Sequence, residues 1–410
     1  MMTNTIRARL WVMMFLQFFI WGGWFVTLGT YLGNIGFTGT QVGNTYLMNN
    51  LAAIISLFLV GMIVDRFFNS EKVMGVLHLL GALLLFWASG IKDSPGLFIV
   101  VLLLYNVCYM PTLALVNTIS FNQMEHPNKE FPVIRVLGTV GWIVAGLTIT
   151  FVLGRFVPSV EATAVPMKMA ATVSLLLGLY SFTLPATPPR MKDEDVTVRD
   201  ILGLKAIKLM KEASFSVFVV CSLLISIPLA FYYAFTNPFL NDIGMTGVVA
   251  KQTMGQMSEV IFMVLMPFFF VRLGVKKMLL VGMLAWVLRY ALFALGDAGS
   301  TVWMLYGALL LHGVCYDFFF VTGQIYVDRK ADRDTRASAQ GFITLVTYGV
   351  GIGLGSVISG VVLDLFIREG VRHWTSFWWV PCIFAGIVAV LFTLVFRDRS
   401  ADDADAVKAS

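Results

Sequence analysis

"PATPPRMKDEDVTVRDILGLKAIKLMKEAS", running from Pro185 to Ser214, is the longest polar stretch in this 410-residue chain. It opens on prolines, mixes charges through Asp193 and Asp195, and closes on a run carrying Lys205, Lys208 and Lys211. The sequence on either side is different. It consists of apolar runs of about 20 residues or more, the length a helix needs to cross the hydrocarbon core of a bilayer. Short polar or basic clusters separate them. The polar stretch therefore reads as a water-facing loop that divides a membrane-embedded chain in two.

Working outward from that loop gives candidate spans near 9–33, 42–64, 72–90, 97–121, 133–155 and 164–185 before it. After it they lie near 213–240, 250–272, 277–297, 301–327, 337–366 and 374–396. Composition agrees, with 58% hydrophobic and only 13% charged residues; a soluble domain is nearer 45–50% and about 25%. The expected fold class is an all-α polytopic membrane protein of twelve transmembrane helices in two six-helix halves. The expected organisation is an N-terminal half 1–185, a cytoplasmic linker 186–212, a C-terminal half 213–396 and a polar, disordered tail 397–410. Within the linker, "LKAIKLMKEAS" fits a short amphipathic helix on the inner membrane surface. The start, "RARLWVMMFLQFFIWGGWFVTLGTYL", runs well past a signal-peptide core without a small-residue cleavage site, and reads as a retained first helix.

Charge gives orientation. Of the 29 Lys and Arg residues, Lys92, Arg155, Lys168, Lys251, Arg368 and Arg372 fall on one side, and Arg135 and Arg289 lie within or at the edge of spans. The rest, among them Arg7, Arg9, Lys72, Arg272 and Arg336, fall on the other side with the central loop. The positive-inside rule places both termini in the cytoplasm. The net charge of +5 thus reports topology and does not point to nucleic acid.

Other function classes find little support. Cys108, Cys221, Cys315 and Cys382 all sit in apolar segments without the spacing of a zinc or redox pair. There is no H-E-x-x-H pair, G-x-S-x-G turn or P-loop, so neither an intramembrane enzyme nor an ATP-driven pump is indicated. No cofactor is expected. The expected partners are a small polar substrate, protons and the lipid bilayer, with the chain working as a monomer.

Four polar clusters inside the spans call for explanation, because charge at mid-bilayer is costly. In "FPVIRVLGTVGW", Arg135, Thr139 and Trp142 share one helical face, offering donors and a flat ring; the alternative is an arginine snorkelling to the interface. In "GQMSE", Gln256 and Glu259 are three apart and hence neighbours. An amide beside a carboxylate suits a hydroxyl-rich solute, the alternative being a helix-holding ion pair. In "LHGVCYDFFFVTGQ", His312 and Tyr316 share a face, Asp317 lies about 100° round the helix, and Gln324 should continue the Asp317 face. Glu259 or Asp317 could take a proton on the outer side and release it inside. In "IPLAFYYAFTNPFL", Pro228 and Pro238 should interrupt the helix beside Tyr232, Tyr233 and Asn237. Arg289, in "WVLRYALF", reads as structural. The pairs Gly349/Gly353 and Gly351/Gly355 should let one span approach a neighbour closely, and Trp374, Trp378 and Trp379 read as an interfacial belt.

At these residues the chain resembles a known group. The 6 + 6 layout and the "GMIVDRFFNSEK" loop, with Asp65–Arg66 after span 2, resemble the major facilitator superfamily. The stretches "LQFFIWGGWFVTLGTYL", "YMPTLALVNTIS", "FPVIRVLGTVGW", "GQMSE", "WVLRYALFALGD", "YDFFFVTG" and "RASAQGF" are similar to the bacterial nucleoside–proton symporters of that superfamily. The resemblance implies a nucleoside held between two halves, its base among aromatic rings and its ribose hydroxyls on acidic and amide side chains. It implies binding roles for Arg135, Thr139, Trp142, Tyr233, Gln256, Glu259, His312, Tyr316 and Asp317, and proton coupling through Glu259 and Asp317. It places the protein in the bacterial inner membrane. The family commonly has Phe at Trp142 and Tyr316, Tyr at His312, and Gln and Asn where Ala230 and Tyr233 stand. Two missing amides leave a sugar or glycoside as an alternative cargo.

Overall fold

A computed structural model describes residues 3–59, 67–189, 204–332 and 335–397. The Asp65–Arg66 motif, linker residues 190–203 and the tail from 398 lie outside the described residues.

Apart from a two-stranded hairpin, the regular structure among the described residues is helical. The helices are α1 (Asn4–Gly22), α2 (Leu28–Asn34), α3 (Gly39–Leu59), α4 (Ser70–Gly90), α5 (Pro95–Asn122), α6 (Pro127–Leu147) and α7 (Val165–Ser181). After the linker come α8 (Ala213–Asp242), α9 (Val248–Leu295), α10 (Val302–Tyr316), α11 (Thr322–Lys330), α12 (Arg336–Thr344), α13 (Ile352–Leu365) and α14 (Trp374–Val395). Eight helical stretches among the described residues are long and apolar enough to cross a membrane. A helix is what such sequences must form, since hydrocarbon offers no partner for backbone N–H and C=O groups.

The boundaries follow local chemistry. Prolines stand at the first turns of α5, α6 and α7, where a missing N–H costs nothing. The 48-residue α9 is two limbs joined at Gly274, whose φ of 66° and ψ of 176° break the helix inside the basic "RLGVKK" cluster that separates two expected spans. Lys276 Nζ donates to the carbonyl of Phe396 at 2.7 Å, tying that turn to the end of α14. Ahead of α10, the Thr301 side chain and the Gly299 and Thr301 N–H groups hold the Asp297 carboxyl below its usual range. Strands Ile367–Arg368 and Val371–Arg372 pair across a Glu369–Gly370 turn with φ of 51° and 78°.

Two expectations need correction and a third gains detail. The helix α8 continues through Pro228 and Pro238, losing only the ladder donors that proline lacks, because a full break would leave more backbone groups unsatisfied. Trp378 is no interfacial residue: it is fully buried and stacks on Tyr290, with ring centroids 5.7 Å apart. Leu204–Lys211 is helical but of the tighter 3-10 form.

The chain forms two compact units. The first comprises Met1–Val198 with Tyr233–Thr253, the second Arg199–Tyr232 with Met254–Ser410. Glycines set the helix crossings within each. In the first, a Cβ on Gly141 of α6 would lie 2.2 Å from the Phe15 carbonyl oxygen of α1. In the second, Cβ atoms on Gly351 and Gly355 would meet Ser226 Cβ at 2.7 Å and the Ile227 carbonyl oxygen at 2.5 Å, so this small-residue stripe does bring its helix against α8.

Candidate functional site

In the first unit the site residues lie on α6, which is regular from Pro127 to Leu147 and so keeps Arg135, Thr139 and Trp142 on one half-buried face. Gly138 and Gly141 let α6 press against α1. The Arg135 guanidinium carbon sits 4.3 Å over the Phe18 ring, a cation–π contact that gives the charge a partner on α1. The Trp142 indole meets Trp21 edge-on at 5.5 Å and Phe25 at 6.4 Å, and Phe25 in turn meets Tyr233 at 5.8 Å. Trp142 and Tyr233 are thus joined through an aromatic cluster whose other members, Trp21 and Phe25, were not singled out from sequence. Their spacing of four residues in "WGGWF" was the available signal.

Asn237 has a different role from the ring-flanking polar end expected of it. Its Nδ2 donates to Glu161 Oε2 at 3.0 Å and to Gln252 Oε1 at 2.8 Å. Its Oδ1 accepts from Thr30 and from Asn241. All four hydrogen-bonding positions of the amide are used, which leaves none for a solute in this state.

The second unit holds the ionisable cluster. Here α9 and α10 cross where Cβ atoms on Gly313 and Gly255 would lie 2.5 Å from the Ser258 backbone and 3.2 Å from His312 Cβ. That approach brings Glu259 Oε2 to 4.0 Å from His312 Nε2. On the other side of the ring, Arg289 Nη1 lies 3.1 Å from His312 Nδ1. A guanidinium can only donate. Nδ1 is therefore the acceptor, the ring proton is on Nε2, and that N–H faces the Glu259 carboxylate. Arg289 is fully buried, its guanidinium carbon 3.5 Å over the Tyr232 ring, and Tyr232 stacks on His312 at 5.3 Å. Sequence reasoning set Arg289 aside; the structure places it against the candidate site.

Asp317 follows directly. It opens a π-helical turn, Asp317–Val321, of the kind frequent at functional sites. It is fully buried, and neither carboxylate oxygen has a hydrogen-bond partner among the described residues. The charge it faces is Glu259. The wider turn also shifts the register beyond it, so Gln324 is exposed and does not continue the Asp317 face. Tyr316 is hydrogen-bonded to Tyr348 through the two hydroxyls. Gln256 is half-buried, one turn before Glu259 on the same helix. Glu259, His312, Tyr316 and Asp317 are therefore gathered in one unit, while Arg135, Thr139, Trp142 and Tyr233 belong to the other. No group of three or more His, Cys, Asp or Glu side chains among the described residues has the arrangement of a metal site.

Apolar helices with ionisable side chains buried among them define a polytopic membrane transport protein, and the fold is that of the major facilitator superfamily. The chain belongs to the nucleoside H+ symporter family, whose description matches residues 3–401. It is 42% identical over 402 residues to the putative nucleoside transporter YegT of Escherichia coli, covering 95% of this chain and 94% of that one. It is 36% identical to the xanthosine permease of the same organism, covering 96% of both. The crystal structure of the nucleoside transporter NupG superposes with a TM-score of 0.87 at 30% identity, covering 97% of this chain and all of that one. These are transporters rather than enzymes.

Proposed function

We propose that this protein is a proton-coupled symporter that imports nucleosides across the bacterial inner membrane by alternating access. In this reading the chain crosses the membrane twelve times, with two six-helix halves and both termini in the cytoplasm, and works as a monomer. The observation that carries it is Asp317, a buried carboxyl without a hydrogen-bond donor that faces the Glu259 carboxylate. An ionised, unpaired carboxylate is expensive inside a protein, and a structural ion pair would not leave it so. A proton that comes and goes is the economical explanation.

The residues divide the work by chemistry. Glu259 and Gln256 accept from and donate to ribose hydroxyls. Trp142, Tyr233 and Tyr316 supply faces for the base, and Arg135, Thr139 and His312 supply donors. Proton uptake by Asp317 or Glu259 from the outer side precedes substrate binding, and release on the inner side resets the cycle.

A second cargo, a sugar or glycoside, is favoured by Ala230. It is buried, and its Cβ lies 2.8 Å from where a Cβ on Gly355 would stand, so helix packing occupies the position at which the family resemblance implies an amide. Proteoliposomes with an inward proton gradient decide between the two. Uptake of labelled uridine or adenosine, abolished by a protonophore, is expected. Transport of glycosides with none of any nucleoside would overturn the nucleoside reading.

A further inference from the structure

Arg289 is a buried cation whose hydrogen bond among the described residues goes to an imidazole rather than a carboxylate. Its Nε and Nη2 have no hydrogen-bond partner among the described residues, and its side chain is fully buried. The surroundings are the Tyr232 ring at 3.5 Å, the Trp286 ring at 5.3 Å and the Cys315 thiol. Its hydrogen bond is to His312 Nδ1. Beyond His312 stands Glu259, whose side chain is 27% exposed while Asp317 is wholly enclosed. The order is therefore guanidinium, imidazole, carboxylate, with the second carboxyl to one side.

We propose that Arg289 is a positioning residue of the transport site: acting through His312, it keeps Glu259 ionised and facing solute, and so assigns the travelling proton to Asp317. This rests on the reading of the protein as a proton-coupled transporter. The argument is one of charge balance. A buried guanidinium stays charged and needs a compensating anion. The imidazole, locked with its N–H toward Glu259, links the two charges and favours the ionised form of that carboxylate. Asp317 receives no donor and faces the Glu259 charge. Of two neighbouring carboxyls that cannot both ionise cheaply, it is the one that takes the proton. One proton adds to an Asp317 oxygen on one side of the membrane and leaves it on the other, and Glu259 stays an acceptor for solute hydroxyls throughout. Among the described residues, the groups packed around the His312 ring that links this pair to Arg289 are Tyr316 from α10, Arg289 from the second limb of α9, and Tyr232 from α8, whose ring stacks on His312 and lies under the Arg289 guanidinium.

Infrared difference spectroscopy across a pH step, on purified protein in lipid without substrate, reads protonated carboxyls directly. The wild-type signal is expected to vanish in Asp317→Asn and persist in Glu259→Gln. In Arg289→Gln a second carboxyl signal should appear, removed by adding Glu259→Gln, because Glu259 without its compensating cation takes up a proton as well. His312→Phe should produce the same second signal, and combining it with Arg289→Gln should add nothing. A wild-type signal that belongs to Glu259 overturns the proposal, as does an unchanged spectrum in Arg289→Gln. If Arg289→Gln does not fold, an unchanged spectrum in His312→Phe overturns it equally. Uridine uptake by the same preparations separates the two levels. Spectra as expected without nucleoside uptake would sink the cargo and leave the role of Arg289 standing.

Discussion

Asn237 donates to Glu161 at 3.0 Å, one of the contacts by which a single carboxylate joins the C-terminal end of α8 to the N-terminal end of α9 within the first compact unit. Glu161 also accepts from Asn241 Nδ2 at 3.0 Å and from the Val249 N–H at 3.1 Å. Asn237 cannot turn its amide round, since Thr30 and Asn241 both donate to its oxygen.

Glu161 lies in the loop before α7 and is only 7% exposed, so its three donors have no ready substitute in water. Glu161→Ala leaves buried donors unmet at about 1–3 kcal/mol each, offset where water enters. Thermal unfolding in detergent should show a clear loss for Glu161→Ala. Glu161→Gln should fall in between, because an amide can present only one oxygen to these donors. Wild-type melting in both variants would refute the fastening role.

How much of this was legible in the sequence depends on the range of the interaction. Helix positions follow from runs of apolar residues, and the α9 break from a glycine among basic residues, so both could be read locally. The pairing of Arg289 with His312 spans 23 residues and two helices, and no periodicity predicts which faces meet. Asp317 was legible as a charge in an apolar run. The π-turn it opens was not, because regular spacing assumes 3.6 residues per turn, and that assumption misplaced Gln324. Glu161 was overlooked because a carboxylate in a loop normally faces water.

Gly313 gives a sharp test of the crossing that assembles the ionisable cluster. A Cβ there would stand 2.5 Å from the Ser258 backbone, too close for any side chain, and the obstacle is main chain. Gly313→Ala must push α10 away from α9 and with it His312 from Glu259. Overpacking of this kind costs about 1–3 kcal/mol. Uptake should fall at least tenfold even where protein is still made and inserted. Gly386, where an added Cβ would meet nothing within 4 Å, supplies the control, and Gly386→Ala should transport normally.

The aromatic cluster of the first unit predicts a graded series. Trp142 meets Trp21 and Phe25 in T-shaped contacts, and its indole is half-buried. Trp142→Phe keeps a face for stacking and should change the apparent affinity for uridine only a few-fold. Trp142→Ala removes the face and should weaken it by about 1–3 kcal/mol, as base–aromatic stacking does elsewhere. Competition binding with uridine and with ribose alone locates the effect. A loss equal for both ligands would show that Trp142 serves packing and not the base.

Asp317→Asn separates coupling from transport. The asparagine matches the carboxyl in size but cannot exchange a proton, and among the described residues no donor bonds to the carboxylate that would be lost. Folding should therefore be unimpaired, since an uncompensated charge is removed from the interior. Uptake against a concentration gradient should disappear, because without an exchangeable proton the gradient has no purchase on the cycle. Exchange of labelled for unlabelled uridine at equal concentrations should persist, provided Glu259 and Gln256 still hold the solute. Glu259→Gln should show the reverse: weaker binding, about tenfold for the loss of a charged hydrogen bond, with accumulation still driven by the proton gradient. The two variants thus fail in different assays if the carboxyls have different tasks. Failure of both in both assays would mean that the pair acts as a single unit sharing one proton.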